Sequence, residues 1–212
     1  MIIRATKDLS AGSELTFWYI SAIGMESKKL HEKLKHWGFE CDCAICEDHR
    51  ATSAAILTQR KNFFEELKTL MVQQPRGPAV LKAIEKKLLT LERTHTRPAS
   101  EVPRVHLWDP QLALANVYQN MSVPKKSLEW ISKALESLGY VLSGADATSA
   151  SIVVKEWGLV DDYTVEALLQ ARRAFAVLGL KEKEAQAYEY ARLAFKMVVG
   201  EDSAFDEMYG MA

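Results

Sequence analysis

The chain of 212 residues contains three cysteines, and all of them fall in one short stretch: Cys41, Cys43 and Cys46, spaced C-x-C-x2-C. Cysteines used as small hydrophobes scatter through a core. Thiolates gathered within one turn of chain suit zinc, which takes four ligands in a tetrahedron with sulfur at ~2.3 Å. The spacing predicts a metal-binding turn, set against a cysteine-rich turn that binds nothing. A closed structural site needs a fourth ligand. His49 extends the pattern to C-x-C-x2-C-x2-H and offers one candidate. An odd, clustered set of thiols points to a reducing compartment, cytosol or nucleus, and away from a disulfide scaffold.

Upstream, residues 1–5 and 14–19 are short and rich in β-branched, aromatic or apolar side chains, which predicts two strands. Residues 8–12 between them have turn chemistry, with Gly12 free to take positive φ. Tyr19 closes the second strand and, read alone, is a half-buried strand aromatic. Residues 25–37, MESKKLHEKLKHW, place Leu30 and Leu34 at i, i+4 and predict a short amphipathic helix leading to the cysteines. Phe39 stands two positions before the first thiol and, read alone, is an apolar contact beside the turn.

Taken together, Arg4-Ala5, Asp8-Leu9, Ala11-Gly12, Glu14-Leu15-Thr16, Tyr19 and Phe39-Glu40-Cys41-x-Cys43-x2-Cys46 resemble the C-terminal end of a SET domain and its post-SET zinc segment. The resemblance is to the SET and MYND family of protein-lysine methyltransferases and their fungal relatives, and it covers about the first quarter of the chain. The A-G-x-E-L-T run alone is weak; its distance from F-x-C-x-C-x2-C makes it specific. The resemblance implies a mostly α fold: the end of a SET domain over 1–24, a post-SET zinc segment over 25–50, and an α-helical, tetratricopeptide-like C-terminal domain over 51–212. It implies that Tyr19 lines the lysine channel and that Phe39 stacks on the adenine of S-adenosylmethionine. It also implies that Cys41, Cys43 and Cys46 hold Zn2+, and that the substrate is a lysine-bearing protein.

The family's glycine-rich cofactor segment, its N-H-x-C segment with the fourth zinc ligand and its MYND zinc module have no counterpart in this sequence. Met1 falls where a SET domain is almost complete. The chain therefore reads as a C-terminal piece, from a shortened gene model or an alternative start, and inactive alone. The competing reading is a non-catalytic, tetratricopeptide-like interaction module.

The remainder is helical in pattern. Residues 51–72 carry Ile56, Phe63, Leu67 and Leu70 on one face, with Phe64 and Met71 beside it. QQPRGP then breaks the chain. Residues 80–91 form a second stripe of Val80, Ile84, Leu88 and Leu91, and the prolines of 94–106 predict a loop. Farther on, Leu114-Ala115, Tyr118, Ser127, Ile131 and Ala134 fall at tetratricopeptide-like offsets. Ala174, Leu178, Ala187, Ala191 and Ala194 repeat them less well. A generic array of α-hairpins with alanines at the crossings fits as well. The step from Ala134 to Ala194 is 60 residues, some 26 more than one ~34-residue unit, and residues 139–162 are expected to hold the excess.

Separate stripes on either side of a proline-bearing loop predict that residues 51–212 fold without the first fifty. Acidic residues at the far end, among them Asp161, Asp162, Glu184 and Asp206, read as a solvated face or an attraction for a basic substrate. A net charge of -1 gives no global field for nucleic acid, and no apolar run reaches the ~20 residues of a membrane span. No H-E-x-x-H, G-x-S-x-G or phosphate-binding glycine loop occurs.

Overall fold

The apolar stripes become a row of helices. The computed structural model describes residues 9–12, 32–38, 40–72 and 77–210. Among these the protein is mostly α-helical, with one two-stranded antiparallel sheet. A helical stretch at 32–34 runs into a 3₁₀ turn at Lys35–Trp37. Then come α1 (Ala44–Ala51), α2 (Ala54–Val72), α3 (Pro78–Glu92), α4 (Val105–Asn120) and α5 (Pro124–Ser137). β1 (Val141–Ser143) and β2 (Val153–Glu156) precede α6 (Asp162–Val177), α7 (Lys181–Val199) and the short α8 (Phe205–Tyr209). Gly12 takes φ +85°, as its turn requires. The strands expected at 1–5 and 14–19 lie outside the described residues, as do Tyr19, Leu30 and Phe39. Among the described residues no helix is long and apolar enough to cross a membrane.

Two expected boundaries move. The helix expected from residue 51 starts at Ala54, because α1 is a separate helix ending at Ala51. The loop expected through 106 ends sooner: α4 begins at Val105 and takes in His106.

The core lies along α3 to α7. Trp108, Trp130, Phe175, Ile84, Leu88 and Leu114 are fully buried in it. Alanines at Ala134, Ala174, Ala187, Ala191 and Ala194 are 0% exposed, which lets the helix axes come close. The paired helices α4–α5 and α6–α7 begin at Val105 and Asp162, and at Pro124 and Lys181. Both steps are 57 residues, so the 60-residue register pairs the wrong alanines: Ala134 corresponds to Ala191.

The turns match as well. Val123 N–H donates to Tyr118 O at 2.9 Å, and Leu180 N–H to Phe175 O at 3.0 Å, both closing the last helical turn. The residue between helices is left-handed in each, Ser122 at φ +58° and Gly179 at φ +71°. Glycine adopts that conformation freely and serine does not.

The excess chain is a β-hairpin laid on α7. Val141 pairs with Glu156 and Ser143 with Val153. Three α7 side chains at i, i+3 and i+7 hold it. Lys183 Nζ donates to Gly144 O and Asp146 O at 2.8 and 2.6 Å, Gln186 Oε1 accepts from Ile152 N–H at 2.8 Å, and Tyr190 Oη accepts from Val154 N–H at 3.3 Å. Lys183 is only 1% exposed, and its ammonium lies 5.5 Å from the Phe175 ring centroid. Two of the acids at this end serve the fold. Asp161 and Thr164 form a capping box on α6, and Asp206 ties α8 to Tyr188 and Arg192.

Glu85 docks α3 onto the first helix pair. Its carboxylate accepts from Tyr118 Oη at 2.9 Å and Trp130 Nε1 at 3.2 Å, and pairs with Lys126 at 3.2 Å. Burial alone would raise its pKa, but the three donors outweigh burial and hold it below the ordinary glutamate value. That stabilisation is present above the unfolded-state pKa and is lost as pH falls through the folded one. Glu85→Ala strands three donors and is expected to cost about 2–3 kcal/mol in urea unfolding at neutral pH, with a smaller difference in acid. Ser122→Gly is expected to gain about 1 kcal/mol in the same assay by relieving the left-handed serine.

Candidate metal centre

The chain turns back on itself at the cysteines because α1 starts between them. Cys43 is the residue before the helix, with extended backbone at φ -60° and ψ 156°, and its carbonyl accepts the first helical bond from Glu47 N–H at 2.9 Å. Cys46 follows in the first turn. Arg50, one turn later, donates to Cys41 O at 2.6 Å and pairs with Glu40 at 3.6 Å. The guanidinium thereby folds the leading segment over the helix. The three sulfurs lie within 4.8 Å of one another. A tetrahedral ion with sulfur at ~2.3 Å needs separations of roughly 3.8 Å, which small side-chain rotations supply. The donor set fits three of the four positions of a zinc site.

The thiols differ in environment. Cys46 is 2% exposed, Cys41 half-buried and Cys43 exposed. Burial, with the neighbouring thiols adding to it, pushes the Cys46 pKa up to about 12. Burial acts the same way on Cys41, but hydrogen bonds from Cys43 and Cys46 outweigh it and bring Cys41 below its ordinary value. A bound divalent cation supplies the charge that lets all three ionise.

The structure brings together Cys41, Cys43 and Cys46, and it does not bring His49 to them: the group of clustered ligand atoms is limited to the three sulfurs among the described residues. His49 lies in the last turn of α1. The positions of Tyr19 and Phe39 relative to the sulfurs fall outside the described residues.

The anchoring side chains carried no recognisable sequence signal. Asp48 reaches Arg60 of α2 at 3.9 Å, and Arg60 donates from Nε to Thr94 Oγ1 at 3.0 Å and from Nη2 to Thr94 O at 2.9 Å. Leu34 and Cys46 are buried, and Cys41 and Ile45 pack on the helical core. The turn is therefore seated on the α2–α3 end of the row.

No family model matches the chain. A curated protein of Gibberella zeae named "Methyltransferase" is 30% identical over 218 residues, an alignment that takes in 98% of this chain and 29% of that protein. The chain is similar to part of a methyltransferase. It spans less than a third of that relative's length, and the similarity runs through the cysteine turn and the helical row alike.

Cys41→Ser, Cys43→Ser and Cys46→Ser are each expected to weaken zinc binding by at least about 100-fold in a chromophoric chelator competition, since each removes a first ligand. His49→Ala is expected to leave that affinity within about twofold, because the ring stands outside the sulfur group.

Proposed function

We propose that the chain is the C-terminal portion of an S-adenosylmethionine-dependent protein-lysine N-methyltransferase of the SET and MYND type. The observation that carries this reading is the similarity to a methyltransferase along nearly the whole chain. Three clustered thiols leading into a helical row support it. In this reading residues 1–24 end the SET domain, 25–50 form the post-SET zinc segment, and 51–212 form a tetratricopeptide-like domain along one side of the substrate cleft. Cys41, Cys43 and Cys46 hold Zn2+. The substrate is a lysine-bearing protein in the cytosol or nucleus, with no direct role for nucleic acid or membrane.

Methyl transfer to lysine is a displacement at a sulfonium methyl. The amine must be neutral, since free lysine has a pKa of ~10.4 and an ammonium has no lone pair. It must also lie in line, and a misplacement of ~1 Å can cost ~100-fold in rate. Tyr19 places the amine through its hydroxyl. Phe39 offers the adenine a stacking face, worth ~0.5–1.5 kcal/mol. Micromolar cofactor binding needs about 8 kcal/mol, so that one ring does not hold the cofactor.

A second reading, a non-catalytic interaction module, is favoured by the doubled helix pair with its matching turns. A cleft of about 320 Å³ lies between Glu92, Arg104, Gln111, Lys133, Glu136 and Tyr140.

Residues 1–212 alone are expected to transfer no methyl group from labelled S-adenosylmethionine to lysine. The protein extended upstream to include a glycine-rich cofactor segment is expected to do so, and Tyr19→Phe in it to lower kcat by about 100-fold or more. An extended protein that neither binds the cofactor nor methylates lysine would favour the interaction module. Robust turnover by residues 1–212 would place a cofactor site in the helical row.

A further inference from the structure

The loop after α3 and the first turn of α4 bring two imidazoles together. His95 Nε2 and His106 Nε2 lie 3.4 Å apart, with ring centroids 5.1 Å apart and planes at 31°. A direct hydrogen bond to nitrogen sits best near ~2.9–3.0 Å, so this contact is slack. Two imidazoles sharing one tetrahedral ion at ~2.0–2.1 Å must hold their nitrogens roughly 3.3–3.4 Å apart. The observed spacing is that of a chelating pair. We propose that His95 and His106 form a second metal site, which takes a late first-row divalent cation such as Zn2+ between their Nε2 atoms.

The pair is held in place before any ion arrives. His106 stands between buried Val105 and Leu107. His95 N–H donates to Glu92 O at 3.1 Å, and the preceding Thr94 is fixed by Arg60 through both its hydroxyl and its carbonyl. The nearby cations are Arg60 and Arg104. Arg60 pairs with Asp48 at 3.9 Å and Arg104 with Glu92 at 3.5 Å, a carboxylate that also serves Lys133 at 3.5 Å, so the two guanidinium charges are only partly offset.

Burial lowers both histidine pKa values; His106, then Arg60 and Arg104, lower that of His95 further, and the two arginines bring that of His106 to about 4. Both rings are therefore neutral at physiological pH, the form in which imidazole donates a lone pair. On binding, a ring that carries its proton on Nε2 shifts it to Nδ1, with no net release. Both residues keep partial exposure, and ligands beyond the two nitrogens would be water. Imidazole donors select zinc, nickel or copper over magnesium or calcium.

The test uses the full chain with its cysteine turn first filled by one equivalent of Zn2+. Further Zn2+ is added at neutral pH while the imidazole nitrogens are followed by NMR. The His95 and His106 Nε2 resonances are expected to move together, before those of His31 and His36, and Mg2+ is expected to move neither. His95→Gln and His106→Gln are each expected to weaken this second event by at least about 100-fold while leaving the first equivalent bound. The wild-type titration decides the matter even if a variant folds poorly. Nε2 resonances of the pair that stay unmoved at millimolar Zn2+, or that respond equally to Mg2+, would overturn the proposal.

Discussion

Arg60 is the side chain that ties α1, α2 and the loop after α3 to one another. Its side chain, 13% exposed, faces α1 through Asp48 and the loop after α3 through Thr94. Burial draws its pKa down, with the Asp48 charge opposing. A guanidinium this buried is tolerated only while its partners are in place, and removing them leaves an uncompensated charge. Cysteine turn, second helix and proline-bearing loop are thereby fixed to one another by one group. Among the described residues, Leu34, Cys41, Ile45 and Cys46 add apolar contact between this segment and the row.

From that end the row grows by repetition. Two helix pairs begin 57 residues apart, with the same turn hydrogen bonds and the same left-handed residue. A ~34-residue helix pair leaves about 23 residues over, which fold as the hairpin on α7. Gly158 permits the return: a Cβ there would run into Leu138 O and the Tyr140 ring. Lys183 buries its ammonium between two carbonyls and an aromatic face, so the hairpin is locked to the second pair.

Much of this was legible in the sequence. Leu67, Ile84, Leu88 and Leu91 are buried where helical periodicity placed them, and Ser127, Ile131 and Ala134 sit at the crossing of a helix pair. The excess chain fell where residues 139–162 were expected to hold it. The repeat register was not legible, because alanines recur so often in α7 that several registers superpose small residues. Turn geometry, which depends on φ at Ser122 and Gly179, settles it. The gathering of the thiols followed from spacing, but the split into α1 and α2 did not. His95 and His106 are 11 residues apart, close to three helical turns, but a proline-bearing loop separates them, so helical periodicity says nothing of their meeting.

The central physical claim is that the cysteine turn and the helical row are one cooperative unit joined through Arg60. It is tested most directly by melting residues 1–212 by far-ultraviolet circular dichroism with zinc stripped and with one equivalent restored. Zinc at ~100 times its dissociation constant adds ~2.7 kcal/mol to whatever unfolds with its site. Helical melting is expected to rise by roughly 5–10 °C on zinc addition, and Arg60→Met to abolish the rise while zinc still binds. A helical melt that ignores zinc in the wild-type protein, with zinc bound, would contradict the claim.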